Sequence, residues 1–227
     1  MRRLILFDID GTLVWGGPAK EAFDEAMAAT YGTAGDIDGL SFAGKTDPQI
    51  VRQLLSGTGL DDGAIEECFD ELWERYLDYL GERIEDDPVE VLPGVAELLD
   101  ALAAFDDVGV GLLTGNIVGG AKLKLDSAGL WRHFGFGSYG SDHEERDALP
   151  AIAVVRAREL WGDGLTAEDA VIVGDTPRDV ACGKAAGMRT LAVATGSFSF
   201  TALHATGADH VLEDLSATPD VVSLLMD

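Results

Sequence analysis

Short, fully apolar runs recur along this chain and predict the strands of a buried sheet. The first run, Leu4-Ile5-Leu6-Phe7, contains no polar residue and ends at Asp8. An uninterrupted apolar run of this length is typical of a strand that is buried on both faces, as in a parallel sheet. Further runs follow at Val108–Leu113, Ala170–Val173, Thr190–Ala194 and, more weakly, His210–Leu212.

Between these runs the apolar residues follow the spacing of a helix. Such segments cover Val95–Ala104, Gly119–Ala128, Leu149–Leu160 and Val180–Ala186. Because strands and helices alternate, we predict an α/β fold with a parallel sheet and right-handed crossovers.

The stretch 17–89 departs from this alternation, since it contains helical patterns but no convincing strand. Flanking segments rich in glycine, aspartate and proline, Gly16-Gly17-Pro18 and Asp86-Asp87-Pro88, have the composition of linkers. We therefore predict a helical insertion at 17–89 in a core formed by 1–16 and 90–227. The helical patterns within the insertion cover Ala19–Tyr31, Pro48–Leu55 and Ala64–Ile84.

The charge of the chain excludes several classes of partner. Its 227 residues include 41 acidic and 16 basic side chains, which gives a formal net charge of −25. A surface this negative repels phosphates, so we expect neither nucleic acid nor a membrane as a partner. The high aspartate and low lysine content is compatible with high internal salt or simply with a soluble surface.

Targeting signals and cysteine pairs are not apparent in the sequence. The apolar run before Asp8 is too short for a signal peptide, and none reaches the roughly 18–20 residues of a membrane span. Cys68 and Cys182 have neither disulfide-framework nor metal-site spacing. These features predict a cytoplasmic protein.

Polar residues that could carry chemistry stand where the predicted strands end. After the first strand comes Asp8-Ile9-Asp10-Gly11-Thr12, and strand spacing would direct Asp8 and Asp10 to the same side. Two carboxylates this close are tolerated when a cation lies between them or when one holds a proton. A plain turn at the end of the strand is the alternative explanation.

Two later strands end in similar polar segments. Thr114-Gly115-Asn116 offers a hydroxyl and backbone N–H groups to an oxyanion, although an N-capping residue would look the same. Asp175 follows another strand, and Asp179 stands four residues on, where a helix N-cap is the alternative. Carboxylates at strand ends suit Mg²⁺, which binds through few protein oxygens together with substrate phosphate.

These three segments resemble the motifs of the haloacid dehalogenase superfamily, in the same order. They are Asp8-x-Asp10-Gly11-Thr12, Thr114-Gly115-Asn116 and Gly174-Asp175-Thr176-Pro177-Arg178-Asp179. The resemblance covers nearly the whole chain. An insertion after the first strand resembles the phosphoglycolate phosphatase and β-phosphoglucomutase branch. It implies a three-layer Rossmann-like core with an inserted helical cap domain.

The resemblance also implies a role for each motif residue. Asp8 would be the nucleophile that forms an aspartyl-phosphate, and Asp10 would be the general acid and then the general base. Thr114, with Gly115 and Asn116, would hold the phosphoryl oxygens. The Mg²⁺ ligands would be Asp8, the backbone carbonyl of Asp10, and Asp175, with Asp179 in support.

One element of the superfamily is absent in its usual form, because no lysine occurs between Lys124 and Lys184. Arg146 is our candidate for the missing cation, unless it only pairs with acidic neighbours on the surface. Lys122 is the spatial alternative, unless it lies on a solvated helix face.

In the insertion, Lys45 stands in a polar loop that the resemblance places near the site, where it would bind substrate when the cap closes. Asp47 followed by Pro48 has the pattern of an N-cap with proline at the first helical position.

The function predicted from these residues is a Mg²⁺-dependent phosphatase that acts on a small phosphorylated metabolite as a monomer or homodimer. A phosphomutase of the β-phosphoglucomutase type is the alternative, because it would use the same two aspartates. A degenerate binding protein on the same fold is the remote alternative. Dehalogenation and phosphonate cleavage are disfavoured, because neither uses an acid at the position of Asp10.

Overall fold

The computed structural model describes residues 3–227 and contains one six-stranded sheet and one two-stranded ribbon. The strands are β1 (Arg3–Phe7), β2 (Val14–Trp15), β3 (Glu90–Val91), β4 (Val108–Leu113), β5 (Gly137–Ser138), β6 (Ala170–Gly174), β7 (Arg189–Val193) and β8 (His210–Leu212). The helices are α1 (Ala19–Tyr31), α2 (Asp47–Leu55), α3 (Asp62–Glu66), α4 (Phe69–Ile84), α5 (Val95–Leu102), α6 (Val118–Ser127), α7 (Leu149–Trp161), α8 (Pro177–Ala185), α9 (Phe200–Ala205) and α10 (Thr218–Met226).

The large sheet is parallel throughout and has the order β5-β4-β1-β6-β7-β8. The five apolar runs correspond to β1, β4, β6, β7 and β8, so the predicted α/β fold with a parallel sheet is confirmed. The two-residue edge strand β5 was not predicted, because Gly137 and Ser138 give no apolar run. Since β1 lies between β4 and β6, the polar loops after these three strands meet at one edge of the sheet.

Helices cover both faces of the sheet and form three layers. Alternate residues of β1 divide between the two faces, with Ile5 and Phe7 in one hydrophobic cluster and Leu4 and Leu6 in the other. The first cluster is completed by α5, α6 and α10, and the second by α7 and α8. This arrangement explains why the β1 run contains no polar residue: neither face of the strand contacts solvent.

The segment 17–89 forms helices α1 to α4, which pack around a hydrophobic cluster of their own. The cluster contains Phe23, Met27, Leu55 and Tyr76, and it is joined by Ile117 from the sheet domain. The antiparallel pair β2–β3 connects this segment to the core close to both predicted linkers. A separate cluster supports the proposed division into core and cap, and we call residues 17–89 the cap below.

The single helix predicted over Ala64–Ile84 is wrong in one respect. The chain forms α3 and α4, separated by a turn at Glu67 and Cys68. The start of α3 is held by Asp61, whose side chain accepts a hydrogen bond from the N–H of Ala64 at 2.9 Å. No helix among residues 3–227 is both long enough and apolar enough to span a membrane.

Candidate active site

Asp8, the predicted nucleophile, lies directly after the central strand and is buried. Its backbone N–H donates to the carbonyl of Val173 at 2.9 Å, which extends the β1–β6 pairing as far as this residue. An Asp8 carboxylate oxygen lies 3.3 Å from a guanidinium nitrogen of Arg146. Burial raises the pKa of Asp8 to about 6, with the Arg146 charge opposing the shift and Asp179 adding to it.

Asp10, the predicted acid and base, is held by two side chains from the segment after β4. The ammonium of Lys124 donates to both Asp10 carboxylate oxygens at 2.8 Å, and the Asn116 amide donates to one of them at 2.7 Å. Burial would raise the pKa of Asp10, but the charge and hydrogen bonds of Lys124 outweigh it, with a contribution from Asn116, and the pKa is lowered. Asp10 is therefore ionised when no substrate is bound.

Thr114 and Asn116 form the second side of this arrangement. The Thr114 oxygen accepts a hydrogen bond from the Asn116 amide at 2.9 Å, and the Asn116 carbonyl accepts one from Lys124 at 2.7 Å. The Thr114 hydroxyl donates no hydrogen bond within residues 3–227, so its proton is free for an oxyanion. Asp10, Thr114, Asn116 and Lys124 thus form one connected hydrogen-bond network.

Arg146 is buried against the sheet end and contacts Asp179 as well as Asp8. These two carboxylates outweigh the effect of burial, so the pKa of Arg146 is raised and the side chain is charged. The alternative that Arg146 only forms a surface ion pair is wrong, because the side chain is 3% exposed.

The alternative explanation, in which Asp179 is the N-cap of α8, is wrong. Thr176 is the N-cap, and Asp179 is the third helical residue of a capping box. One Asp179 oxygen accepts hydrogen bonds from the N–H of Thr176 at 3.0 Å and from its hydroxyl at 2.6 Å, and the other faces Arg146. Both oxygens are therefore committed to donors of the chain.

Asp175 completes a cluster of three buried carboxylates with Asp8 and Asp179, each offering an oxygen within 4.8 Å of the others. Burial raises the pKa of Asp175 to about 8, and the neighbouring charges of Asp8 and Asp179 add to the shift. Gly11 and Gly196 lie so close to this carboxylate that a Cβ at either position would overlap it. Three carboxylates face one guanidinium, and this excess of buried negative charge fits a divalent cation.

The structure places Lys122 outside the site and brings Lys124 into it. Lys122 lies on the outer face of α6, paired with Asp126 and 5.7 Å above the Trp131 ring. Lys124 is 5% exposed and faces inward together with Ala121 and Leu125. Sequence reasoning missed Lys124, although counting helical turns from Ile117 places residues 121, 124 and 125 on one buried face.

The cap reaches the site through the loop before α2. Thr46, and not Asp47, is the N-cap of α2, with Gln49 in a capping box. The Asp47 carboxylate instead accepts a hydrogen bond from the N–H of Ile117 in the core at 2.8 Å, and its own N–H donates to the carbonyl of Gly115 at 2.8 Å. The Thr46 hydroxyl donates to the carbonyl of Glu144 at 2.6 Å.

A pocket of about 500 Å³ lies between the cap and the sheet end, within the range typical of small-molecule sites. Its floor includes Asp8, Asp10, Thr114, Gly115, Asn116, Lys124, Arg146 and Asp175, while its cap wall includes Phe23, Phe42, Lys45, Asp47 and Tyr76. Lys45 lines this pocket, and its ammonium donates to the carbonyl of Ser41 at 2.6 Å. The predicted site residues therefore line the pocket, with two exceptions: Lys122 lies outside the site, and Asp179 is buried in contact with Arg146.

Comparison with known families agrees with this geometry. Residues 5–193 match the sequence model of the haloacid dehalogenase-like hydrolases. The chain belongs to the haloacid dehalogenase-like hydrolase family. The predicted membership of this superfamily is thus confirmed, and with it the prediction of a hydrolase.

Individual members of the haloacid dehalogenase-like family resemble the chain over most of its length. It is 30% identical to phosphoglycolate phosphatase 1 of Pseudomonas aeruginosa, over 86% of this chain and 70% of that protein. It is 28% identical to the phosphoglycolate phosphatase of Rhodospirillum rubrum, over 97% of this chain and 90% of that protein. A hydrolase from Pseudomonas syringae shares the fold, with a TM-score of 0.69, 18% identity and complete coverage of both chains.

Proposed function

We propose that this chain is a Mg²⁺-dependent phosphatase that hydrolyses a small phosphorylated metabolite through an aspartyl-phosphate on Asp8. Family membership and relatives named phosphoglycolate phosphatases support a phosphatase acting on a small phosphorylated substrate. The magnesium, the covalent intermediate and the residue roles are our proposal.

The observation that carries the proposal is the position of Asp8 between two different groups of side chains. On one side lie Arg146, which supplies a cation, and Asp175, which supplies oxygen ligands. On the other lies Asp10, held by Lys124. A phosphoryl group at Asp8 would therefore have a nucleophile, a charge-neutralising side and a proton donor around it.

Mg²⁺ would be held by Asp8, Asp175 and the backbone carbonyl of Asp10, with Asp179 acting through its contacts rather than as a free ligand. When bound, the ion would neutralise charge on the nucleophile and on the substrate phosphate.

The side chains would then act in sequence. The Asp8 carboxylate attacks phosphorus and displaces the leaving alcohol, while the Thr114 hydroxyl and Arg146 stabilise the phosphoryl oxygens. Asp10 donates a proton to the leaving oxygen and later takes one from the water that hydrolyses the aspartyl-phosphate. The ionised form of Asp10 suits hydrolysis of the aspartyl-phosphate, where Asp10 acts as a base. Before the aspartyl-phosphate forms, the negative charge of bound phosphate favours proton uptake by Asp10, which can then act as an acid.

The test is hydrolysis of p-nitrophenyl phosphate by the purified protein with Mg²⁺, with excess chelator and with calcium. We expect phosphate release only with Mg²⁺ and about a 10³-fold or greater loss in Asp8→Asn, whose fold is checked by circular dichroism. An unmutated protein that releases no phosphate with Mg²⁺, or an Asp8→Asn variant with normal activity, contradicts the proposal.

The same assay separates a phosphatase from the phosphomutase alternative. A phosphatase releases inorganic phosphate without added sugar bisphosphate, whereas a mutase needs the bisphosphate and returns an isomer. A cytoplasmic location and a monomeric or homodimeric state remain predictions that this assay does not address.

A further inference from the structure

Among the polar groups on the cap wall that none of the proposed catalytic steps uses, two have hydrogen-bonding capacity to spare. These are the carboxylate of Asp47, at the start of α2, and the hydroxyl of Tyr76, in the middle of α4. Both residues line the pocket that contains Asp8 and Asp10.

Asp47 presents one carboxylate oxygen that no group among residues 3–227 satisfies. The other oxygen accepts the hydrogen bond from Ile117, and no second hydrogen bond to the carboxylate is formed within residues 3–227. The side chain is only 8% exposed. Because Thr46 and the Asp47 N–H both bind core carbonyls, the carboxylate is held in place rather than free to turn to solvent.

The hydroxyl of Tyr76 is likewise without a partner among the described residues. The residue is 2% exposed, and its ring packs edge-on against Phe23 with centroids 5.3 Å apart. A buried phenol usually finds a hydrogen-bond partner. An unpaired hydroxyl in the wall of a pocket is therefore a group that a ligand can satisfy.

Both groups lie beside the segment after β4 that holds Asp10, where the leaving group would emerge. Asp47 is hydrogen-bonded to Gly115 and Ile117, and a Cβ at Gly120 would lie 3.5 Å from the Tyr76 hydroxyl. Burial raises the pKa of Tyr76, and the charges of Asp47 and Asp10 add to the shift, so the phenol is neutral. Burial raises the pKa of Asp47 to about 6, with Lys124 opposing the shift, so Asp47 is mostly ionised at neutral pH.

The charge on this side is unfavourable for an acidic leaving group. Lys124 is shared between Asp10 and Asn116, which leaves the negative charge of Asp47 in excess. Among the lysines of the pocket, Lys20 is paired with Asp38 at 2.9 Å. The Lys45 ammonium donates to the carbonyl of Ser41, and burial, followed by the charge of Arg178, lowers the pKa of Lys45.

We propose that Asp47 and Tyr76 form the leaving-group subsite and that it takes a hydroxylated alcohol, such as a polyol or sugar, in preference to a carboxylate. The hydroxyls of such a group would donate to the free Asp47 oxygen and pair with the Tyr76 phenol, whereas a carboxylate would be repelled by Asp47. This inference rests on the proposed phosphatase function and specifies its substrate class.

The experiment compares esters that differ only where a CH₂OH group replaces a carboxylate. The pairs are 2-hydroxyethyl phosphate with phosphoglycolate, and sn-glycerol 1-phosphate with 3-phospho-D-glycerate, which share one configuration, each assayed with Mg²⁺ beside p-nitrophenyl phosphate. We expect kcat/KM to be at least about tenfold higher for the hydroxyl member of each pair, as one good hydrogen bond or one charge repulsion would give.

Two variants assign the preference to these side chains. In Tyr76→Phe, which keeps the ring packing, we expect the ratio of kcat/KM for 2-hydroxyethyl phosphate over p-nitrophenyl phosphate to fall about tenfold. In Asp47→Asn, we expect kcat/KM for phosphoglycolate to rise relative to 2-hydroxyethyl phosphate. Tyr79→Phe is the matched control, because Tyr79 lies on the same helix outside the pocket, where Arg83 covers its ring.

Each outcome decides between the proposals. Equal or faster turnover of the carboxylates, with p-nitrophenyl phosphate hydrolysed, overturns the subsite and leaves the phosphatase intact. A hydroxyl preference that survives both variants overturns the assignment to Asp47 and Tyr76. No turnover of any ester with Mg²⁺ overturns the phosphatase proposal and the subsite with it. If Tyr76→Phe fails to fold, the ratios of Asp47→Asn decide.

Discussion

The two walls of the pocket are built in different ways. The floor comes from segments that follow β1, β4, β5 and β6. Its two cations are paired with carboxylates, Arg146 with Asp8 and Asp179, and Lys124 with Asp10. The cap wall comes from helices and a loop, and it leaves Asp47 and Tyr76 with unused hydrogen-bonding capacity. The paired charges of the floor suit a chemical step that is the same for any phosphate ester. The unpaired groups of the cap wall suit the binding of a leaving group that varies between substrates.

The greatest loss of activity on the floor of the pocket is expected from a change at one of the two lysines of α6. We expect Lys124→Met to lower kcat about hundredfold, or about 2.7 kcal/mol, because Asp10 and Asn116 lose the ammonium that holds them. Removing this positive charge also raises the pKa of Asp10, so the acidic limb of the pH–rate profile moves to higher pH. Steady-state kinetics over a range of pH measures both effects.

Lys122→Met is the control for this pair, since it removes the same charge from the same helix but on the exposed face. Its kcat should stay within about twofold of the unmutated value. Equal losses in the two variants would mean that Lys124 supports the helix rather than Asp10.

A second prediction concerns the carboxylates of the floor and their dependence on pH. Without metal, the pKa of Asp175 near 8 means that the folded state holds a proton that the unfolded state releases. The stability from this proton is present at lower pH and is lost as pH rises toward 8. Mg²⁺ binds the ionised form, so its stabilising effect should be about 2 kcal/mol larger at pH 8 than at pH 6.

Thermal unfolding with Mg²⁺ and with chelator at the two pH values measures this difference. Asp175→Asn should remove both the metal effect and its pH dependence. The same rise in melting temperature with Mg²⁺ at pH 6 and pH 8 would contradict the assignment of Asp175.

A third prediction tests the contact between floor and cap at Gly115. A Cβ at this position would overlap the carbonyl oxygen of Lys45, so Gly115→Ala should push the cap loop away from the core. We expect about a tenfold loss of kcat/KM, or about 1.4 kcal/mol, with little change in the core. Gly81→Ala, in α4, is the control because its Cβ would enter open space, and its activity should not change.

The smallest expected effect is at Thr46, which caps α2 and binds the carbonyl of Glu144. Thr46→Val keeps the side-chain shape but removes the hydroxyl, and we expect a loss of about 1 kcal/mol in the free energy of unfolding. Denaturant titration measures this value, and a loss below about 0.3 kcal/mol would show that the cap loop is held by its backbone contacts alone.

Much of the fold could be predicted from the sequence, because buried parallel strands leave an unmistakable pattern of apolar runs. The strand β4 and the helix α1 have the predicted bounds. The strand β5 escaped prediction because its two residues carry no apolar signal, and α3 and α4 merged because both halves have helical periodicity. Lys124 was within reach of a count of helical turns, but Tyr76 was not, since an aromatic residue on a helix predicts only packing.

The sheet, the family and the order of the motifs follow from the sequence alone, because they depend on local periodicity and on residues at strand ends. Tertiary structure decided which cations join the site: it buried Arg146 and Lys124 and left Lys122 in solvent. It also decided that Asp47 contacts Ile117 in the core, whereas its sequence pattern predicted a helix cap. Spacing along one segment cannot reveal such choices, because they depend on how a helix is rotated and on what another segment places against it.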